Sequence, residues 1–243
     1  MIYDDNIDIL IDKEYTIMKI KVLSFDIFQT LVDVNQRIPQ IWKGILGDAY
    51  TSADGIRGAR GILEHYPTSL QKAITSDRFY TMKEIYLDCA DNAIKQASHS
   101  VTAETVVEHL LFQHSMAPLY EDVTECMKRL HKKYRIILSS DSNHIMVDGL
   151  LKNFIYDDLF ISEDLKCYKE NLDGGFFRQV VESIGILPGE MLHIGDSRSD
   201  ILGARRIGVA SCWINREHRL WRHEIQPEYE IHDLWELEAL LDF

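Results

Sequence analysis

Short runs of apolar residues, each bounded by polar residues, recur along most of the chain. The apolar residues in each run are consecutive rather than alternating, which is typical of strands buried on both faces of a parallel sheet. The runs predict five strands: Lys19 to Phe25, Arg135 to Leu138, Asp158 to Ile161, Met191 to Ile194 and Val209 to Ile214.

Helical periodicity fills the intervals between these runs. Apolar residues recur at helical spacing over Tyr120 to Tyr134, Phe176 to Ile184 and Ser199 to Ile207, and an amphipathic helix is predicted to close the chain from Asp233 to Phe243. Strands that alternate with helices imply right-handed crossovers and a parallel sheet. The predicted fold class is therefore α/β, with a Rossmann-like parallel sheet as its core.

The region between the first two predicted strands breaks this rhythm. It contains long amphipathic segments, Ser69 to Ala97 and Thr102 to His114, and no convincing strand run. We therefore expect an inserted helical cap domain and a discontinuous core. The predicted boundaries are 18–32 and 118–243 for the core, 33–117 for the cap and 1–17 for an N-terminal extension.

Charge and composition narrow the class of partner. The net charge is −13, and the chain shows no clustered Lys and Arg, which argues against a nucleic-acid or anionic-membrane surface. No stretch approaches the roughly 18 apolar residues of a membrane span, and the acidic N-terminus is unlike a signal peptide. The four cysteines are widely spaced, so we expect free buried thiols. A cytoplasmic protein acting on a small, anionic molecule is expected, in an oligomeric state that the pattern leaves open.

Polar residues stand where the predicted strands end. They are Asp26 after the first strand, Ser139 after the second, Lys169 beyond the third, and Asp196 after the fourth with Asp200 one helical turn later. Taken singly, each could be a helix cap or a surface charge. Together they would share the crevice at the carboxyl edge of the sheet, where ligands bind. Three carboxylates there repel one another unless a cation is present, and Mg²⁺ suits such oxygen ligands.

Four ordered stretches resemble the motifs of the haloacid dehalogenase (HAD) superfamily. They are Phe25 to Leu31, Ile137 to Ser140, Cys167 to Lys169 and His193 to Asp200. The helical insertion lies where a cap of the C1 type is expected in that family. Two further stretches, Ser162 to Lys166 and Cys212 to Arg216, are similar to its L-2-haloacid dehalogenase branch.

The resemblance implies catalytic roles for three residues. Asp26 would attack the substrate and form a covalent intermediate that water hydrolyses. Lys169 would neutralise charge on nucleophile and substrate, and Ser139 would hold the reacting group. The anionic group of the substrate would be bound by Thr30, Ser139, Ser140 and Lys169.

The resemblance also implies a magnesium site, and it exposes one departure from the phosphatases of the family. The metal ligands would be Asp26, the backbone carbonyl of Phe28, Asp196 and Asp200. Those phosphatases usually carry a second Asp where this chain has Phe28, and that Asp protonates the leaving group. Losing a general acid typically costs a factor of about 10² to 10⁴ in rate.

Three hypotheses on function follow. The first is a magnesium-dependent phosphatase acting on a small phosphorylated metabolite with a good leaving group, such as an acyl or aryl phosphate. The second is a metal-free 2-haloacid dehalogenase, which explains Phe28 because a halide leaves without a proton, but which does not explain Asp196. The third is a catalytically weak member that binds an ion or a ligand.

The cap and two histidines give no further site assignment. A dehalogenase would need a cap arginine to receive the halide, but Arg57 and Arg60 lie in a glycine-rich stretch unlike that branch, where we expect an exposed turn or a helix start. His144 and His193 lie near the motifs and are expected to be packed or solvated.

Overall fold

The structure is a computed structural model, and it describes residues 19–97 and 101–241. The proposed extension over residues 1–17 lies outside the described residues. The strands are β1 (Val22–Phe25), β2 (Arg135–Ser140), β3 (Asp158–Ile161), β4 (Met191–Gly195), β5 (Ala210–Ile214) and β6 (Tyr229–Ile231). They form one parallel sheet in the order β3-β2-β1-β4-β5-β6, which places β1 near its middle.

This sheet confirms the predicted α/β fold class and the five predicted strands, with some ends displaced. β1 begins at Val22 rather than Lys19, and β2 continues to Ser140. The sequence pattern missed β6, because that strand is short and its middle residue, Glu230, is exposed. Apolar side chains pack on both faces of the sheet, as expected for consecutive apolar residues in a parallel sheet.

Ten α-helices lie in the described part of the chain. Those between β1 and β2 are α1 (Ile38–Leu46), α2 (Ser52–Ile74), α3 (Met82–Ala97) and α4 (Ala103–His114). The others are α5 (Val123–Leu130), α6 (His144–Leu151), α7 (Ser162–Leu165), α8 (Gly175–Ile184), α9 (Arg198–Arg205) and α10 (Leu234–Leu240). None of these helices is both long and apolar enough to cross a bilayer. All four cysteines are free and buried, as expected.

One predicted helix of the insertion is wrong in extent. The segment from Ser69 to Ala97 is not continuous, because α2 ends at Ile74 and α3 begins at Met82. Thr81 and Glu84 form a capping box at the new start: the Thr81 amide donates to Glu84 Oε2 at 2.8 Å, and the Glu84 amide donates to Thr81 Oγ1 at 3.3 Å. These bonds satisfy amides that would otherwise lack partners at the start of α3.

The glycine-rich stretch around Arg57 and Arg60, where an exposed turn or a helix start was expected, belongs to the N-terminal half of a long helix. It lies inside α2, where Gly58 gives room to the indole of Trp42 from α1. A Cβ on Gly58 would come within 2.0 Å of that ring. The glycine therefore serves close helix packing, and it fixes Trp42 against the cavity described below.

Candidate active site

Three charged side chains meet at the carboxyl edge of the sheet, as predicted. Asp26 directly follows β1, Lys169 lies in the segment after α7, and Asp200 lies in the first turn of α9. The Lys169 Nζ lies 2.6 Å from Oδ1 of Asp26 and 2.6 Å from Oδ1 of Asp200. All three residues are buried, so one ammonium is shared between two carboxylates away from bulk water.

Asp200 is fixed by partners on both of its oxygens. Its Oδ1 also lies 2.9 Å from Nε2 of His193 on β4. Ser197 is the N-cap residue of α9, and its amide and its hydroxyl donate to Asp200 Oδ2 at 3.0 and 2.5 Å. His193 is a packed residue, as expected, and it orients Asp200.

The backbone of Lys169 is held by close packing against α9. A Cβ at Gly203 of that helix would lie 2.2 Å from the Lys169 carbonyl oxygen. Only a glycine lets the helix approach this closely. Asp200 and Gly203 both belong to α9. This one helix therefore contacts the Lys169 ammonium through the Asp200 carboxylate and the Lys169 backbone through Gly203.

Burial dominates the electrostatics of the acidic residues. Burial, and then the neighbouring carboxylates, raises the pKa of Asp196 to about 8. Burial raises the pKa of Asp26 to about 6, even though Lys169 lies beside it. Lys169 thus does not offset all the negative charge that the cluster would carry at neutral pH.

The ion pair itself is stabilised in its charged form. Although burial opposes the charge on Lys169, the carboxylates of Asp200 and Asp26 hold the pKa of that ammonium above its usual value. Burial likewise opposes the charge on Asp200, but Lys169 and His193 hold its pKa below the usual range. Lys169 is therefore a fixed cation, and Asp200 is its permanent counter-ion.

The carboxylates fit a hard divalent cation. Oxygens of Asp26, Asp196 and Asp200 all lie within 4.8 Å of one another. Asp196 also receives a weak contact from Arg219, whose Nη2 lies 3.3 Å from Oδ2. Because both oxygens of Asp200 already accept hydrogen bonds, Asp26 and Asp196 are the better placed direct ligands.

The turn after Asp26 carries the backbone that was assigned to the metal. Ile27 accepts through its carbonyl from the amides of Leu31 and Val32, at 2.8 and 3.0 Å. Gln29 has a φ of 59°, a left-handed conformation that a glycine adopts more readily. Its Oε1 accepts from the Val34 amide at 2.8 Å, so this side chain braces the turn.

The structure separates the two serines at the end of β2. Ser24 pairs with Ile137 and His193 in the sheet register, so Ser139, two residues beyond Ile137, points to the same face. The Ser24 hydroxyl lies 2.9 Å from the Ser139 hydroxyl and 2.9 Å from His193 Nδ1. Ser139 is fully buried there and does not line the cavity.

The structure thus places Ser139 away from the cavity, and its assignment to catalysis and substrate binding stays a prediction. Ser140 lines the cavity, and its hydroxyl is buried without a protein partner. Thr30 was also assigned to substrate binding, and this too stays a prediction. Its side chain is fully buried, its hydroxyl has no partner, and it does not line the cavity.

A cavity of about 420 Å³ opens above this edge of the sheet. Its floor carries the charged residues Asp26, Lys169 and Asp196, and its other walls come from the helical insertion and from loops of the sheet domain, including the loop with Glu217 and Arg219. Phe28 lines it close to Asp26. Arg57 and Arg60 are not among the described residues that line it, so neither supplies a halide-binding cation to this cavity.

Three charged residues of the cavity were missed from the sequence, namely Asp141, Glu217 and Arg219. Asp141 follows Ser140, and its Oδ1 accepts from the Lys169 amide at 3.1 Å. Burial raises the pKa of Asp141 to about 7. The same strand-end argument that found Asp26 would have found Asp141. Arg219 lies in an irregular loop beyond β5, and no sequence pattern indicates its contact with Asp196.

Comparison with known proteins identifies the family of this chain. Residues 20–208 match the family model described as haloacid dehalogenase-like hydrolase. The crystal structure of the HAD-hydrolase YfnB from Bacillus subtilis bound to magnesium superposes with a TM-score of 0.78 and 20% sequence identity, covering 92% of this chain and 99% of that one. This likeness shows a shared fold.

Two curated relatives carry the names of different reactions. The chain is 38% identical to the pyrimidine 5'-nucleotidase YjjG of Escherichia coli strain K12 over 88 residues, which are 35% of this chain and 38% of that protein. It is 25% identical to (S)-2-haloacid dehalogenase 4A of Burkholderia cepacia over 140 residues, which are 55% of this chain and 60% of that protein. The chain thus aligns with less than two thirds of either relative.

Proposed function

The chain belongs to the haloacid dehalogenase-like hydrolases, and from this membership we propose that it is a magnesium-dependent phosphatase acting on a small phosphorylated metabolite. The observation that carries the proposal is Asp196. It adds a partly buried carboxylate next to Asp26, and the fixed cation Lys169 is already engaged by Asp26 and Asp200. A divalent cation would offset the negative charge that Lys169 leaves uncompensated, and it would also bind the oxygens of a phosphoryl group.

In this proposal Asp26 attacks phosphorus through a carboxylate oxygen. The bond from phosphorus to the leaving oxygen breaks, the leaving group departs with the electron pair, and an aspartyl phosphate forms. Water then attacks phosphorus, which releases phosphate and restores the Asp26 carboxylate. Lys169 holds the nucleophile and neutralises phosphoryl charge, and the unpaired Ser140 hydroxyl donates to a phosphoryl oxygen.

Mg²⁺ would be held by Asp26, Asp196 and the Phe28 carbonyl, with Asp200 adding negative charge from behind. When bound, it supplies Lewis-acid stabilisation of the phosphoryl oxygens. The magnesium bound by YfnB, a relative of the same fold, supports this choice of metal.

We also propose that the chain divides into a core domain of residues 18–32 and 118–243 and a cap domain of residues 33–117.

Phe28 favours a second candidate, a metal-free 2-haloacid dehalogenase. A phenylalanine cannot protonate a leaving alkoxide, whereas a halide needs no proton. The relative named (S)-2-haloacid dehalogenase 4A supports this candidate as well. Against it, the described cap residues bring no arginine to the cavity.

A paired assay separates the two candidates. The purified full chain is offered 4-nitrophenyl phosphate with magnesium or with EDTA, and separately 2-chloropropionate with detection of halide, with Asp26→Asn as the blank. We expect phosphate release that requires magnesium and no halide release. Halide release that is indifferent to EDTA would support the dehalogenase instead. Release of neither phosphate nor halide would favour a catalytically weak protein that binds an ion or a ligand.

A further inference from the structure

The cavity above Asp26 has walls of two different kinds. Its floor is charged, as described above. The walls from the helical insertion are mainly apolar or aromatic, and they include Ile41, Trp42, Ile62, Leu63, Tyr66 and Tyr86. A substrate that presents its phosphoryl group to Asp26 therefore places its remaining atoms among apolar side chains.

None of the described insertion residues that line this cavity carries a formal charge. The one titratable base among them is His114, and burial lowers its pKa to about 4, so it is neutral at pH 7. The cations that line the cavity, Lys169 and Arg219, both lie outside the insertion and already contact carboxylates. A second phosphate or carboxylate on the leaving group would find no cation among the described cap residues that line the cavity.

A continuous row of rings leads from the nucleophile into the cap. The Phe28 and His114 rings are 5.4 Å apart, those of His114 and Tyr86 are 6.0 Å apart, and those of Tyr86 and Tyr66 are stacked at 5.8 Å. Trp42, seated in the space left by Gly58, lies on the wall of the same cavity. Aromatic side chains at such separations pack well against a further ring.

The absence of an acid at Phe28 also favours an aryl leaving group. An alkoxide must be protonated as it leaves, because an aliphatic alcohol is about as weak an acid as water, whose pKa is about 15.7. A phenol has a pKa of about 10, so a phenoxide leaves more readily without a proton donor. The phenoxide then takes its proton from water after the bond to phosphorus has broken.

We infer that the substrates are phosphate monoesters of phenols whose aryl group carries no charge, and that this ring packs among Tyr66, Trp42 and Leu63. This inference rests on the phosphatase function proposed above. It excludes sugar phosphates and bisphosphates as preferred substrates, because the cap offers them few polar partners and no cation.

The test compares three phosphates that differ in their leaving groups. The full chain with magnesium is offered phenyl phosphate, acetyl phosphate and glucose 6-phosphate, and kcat/KM is measured for each. Acetyl phosphate is the sharp control, because it has a good leaving group and no ring. We expect kcat/KM for phenyl phosphate to exceed the other two by about tenfold or more, given the apolar surface that the ring buries.

Two surface substitutions on α2 provide a matched pair. Leu63 and Ile56 expose 65% and 62% of their surfaces, but only Leu63 lines this cavity. Leu63→Asn is expected to lower the ratio of kcat/KM for phenyl over acetyl phosphate about threefold or more, and Ile56→Asn to leave that ratio unchanged. Tyr66→Leu, which removes a ring but keeps an apolar side chain, should lower the ratio too.

The outcomes distinguish this inference from the proposal beneath it. If acetyl phosphate or glucose 6-phosphate matches phenyl phosphate, or if Leu63→Asn and Ile56→Asn act alike, the aryl inference is overturned while the phosphatase stands. If none of the three substrates releases phosphate, the phosphatase proposal fails and the inference fails with it.

Discussion

Lys169 and Asp26 form a buried ion pair in which the ammonium nitrogen lies 2.6 Å from a carboxylate oxygen. The same ammonium is held from behind by Asp200, which is itself fixed by His193 and Ser197. The Asp26 carboxylate is therefore oriented through a chain of contacts that involves residues of β4 and α9.

Replacing Lys169 tests this chain of contacts. Lys169→Met leaves two buried carboxylates without their cation, so we expect a loss of about 3–5 kcal/mol in the free energy of unfolding, together with loss of turnover. Urea unfolding and phosphate release measure the two effects. Lys152→Met, at an exposed position, is the control and should change neither. A stable Lys169→Met protein with full activity would contradict the assigned role.

The contact between Gly203 and Lys169 predicts an effect on stability at a distance from the chemistry. Gly203→Ala places a Cβ 2.2 Å from the Lys169 carbonyl oxygen, so α9 must move away. We expect a destabilisation of about 1–3 kcal/mol and a lower kcat. Gly189→Ala is the matched control, because a Cβ there meets nothing within 4 Å. Equal stability of the two variants would show that the close approach is not required.

The two serines at the end of β2 should respond in opposite ways. Ser140→Ala removes a hydroxyl that has no protein partner, so we expect a higher KM with little change in stability. Ser139→Ala breaks the contact with Ser24, so we expect a loss of about 1 kcal/mol in stability and an unchanged KM. The pair is measured by steady-state kinetics and thermal unfolding. The reverse pattern would restore Ser139 as the substrate ligand.

Phe28 should control which leaving groups are tolerated. Phe28→Asp supplies a carboxyl beside the nucleophile, and we expect kcat/KM for alkyl phosphates to rise relative to aryl phosphates, by a factor of up to about 10². Phe28→Asn introduces a side chain of the same shape as aspartate that cannot act as an acid, so this variant should not show the rise. If both variants behave alike, the missing acid does not limit the reaction.

The raised pKa values predict how stability depends on pH. Burial raises the pKa of Asp26 to about 6 and that of Asp196 to about 8. The folded state therefore binds more protons than the unfolded state between the usual Asp pKa and these values. Its free energy of unfolding should fall as pH rises from about 4 to about 8, by at most about 1.4 kcal/mol per pH unit for each proton, and above about pH 6 Asp196 alone of these two contributes.

Magnesium should cancel this loss, since the cation binds the deprotonated carboxylates. Thermal unfolding from pH 5 to 9, with and without magnesium, measures both effects. We expect the stabilisation by magnesium to grow with pH, and Asp196→Asn to remove most of it. A magnesium effect that is the same at pH 5 and pH 9 would argue against binding at this cluster.

The sequence predicted the position of the site better than its details. The strand ends place Asp26, Asp196 and Asp200 at one edge, because a parallel sheet brings its carboxyl ends together. The sequence did not separate Ser139 from Ser140, since neighbouring residues of a strand point to opposite faces and the register decides which face meets the cavity. The pairing of Ser24 with Ile137 decides it here.

Other features depend on contacts that no local pattern records. Arg219 reaches Asp196 from an irregular loop, and Trp42 reaches the cavity only because Gly58 admits its ring. The break between α2 and α3 did have a local signal, the Thr81 and Glu84 capping box, which the helical periodicity of the segment obscured.

The attack of Asp26 on phosphorus is tested by trapping the product of that step. The full chain is mixed with phenyl phosphate and magnesium, quenched in acid, digested and analysed by mass spectrometry. We expect the mass of one added phosphoryl group on the peptide that contains Asp26, and none in Asp26→Asn. Turnover without any phosphorylated peptide, or a phosphoryl group on a different residue, would contradict it.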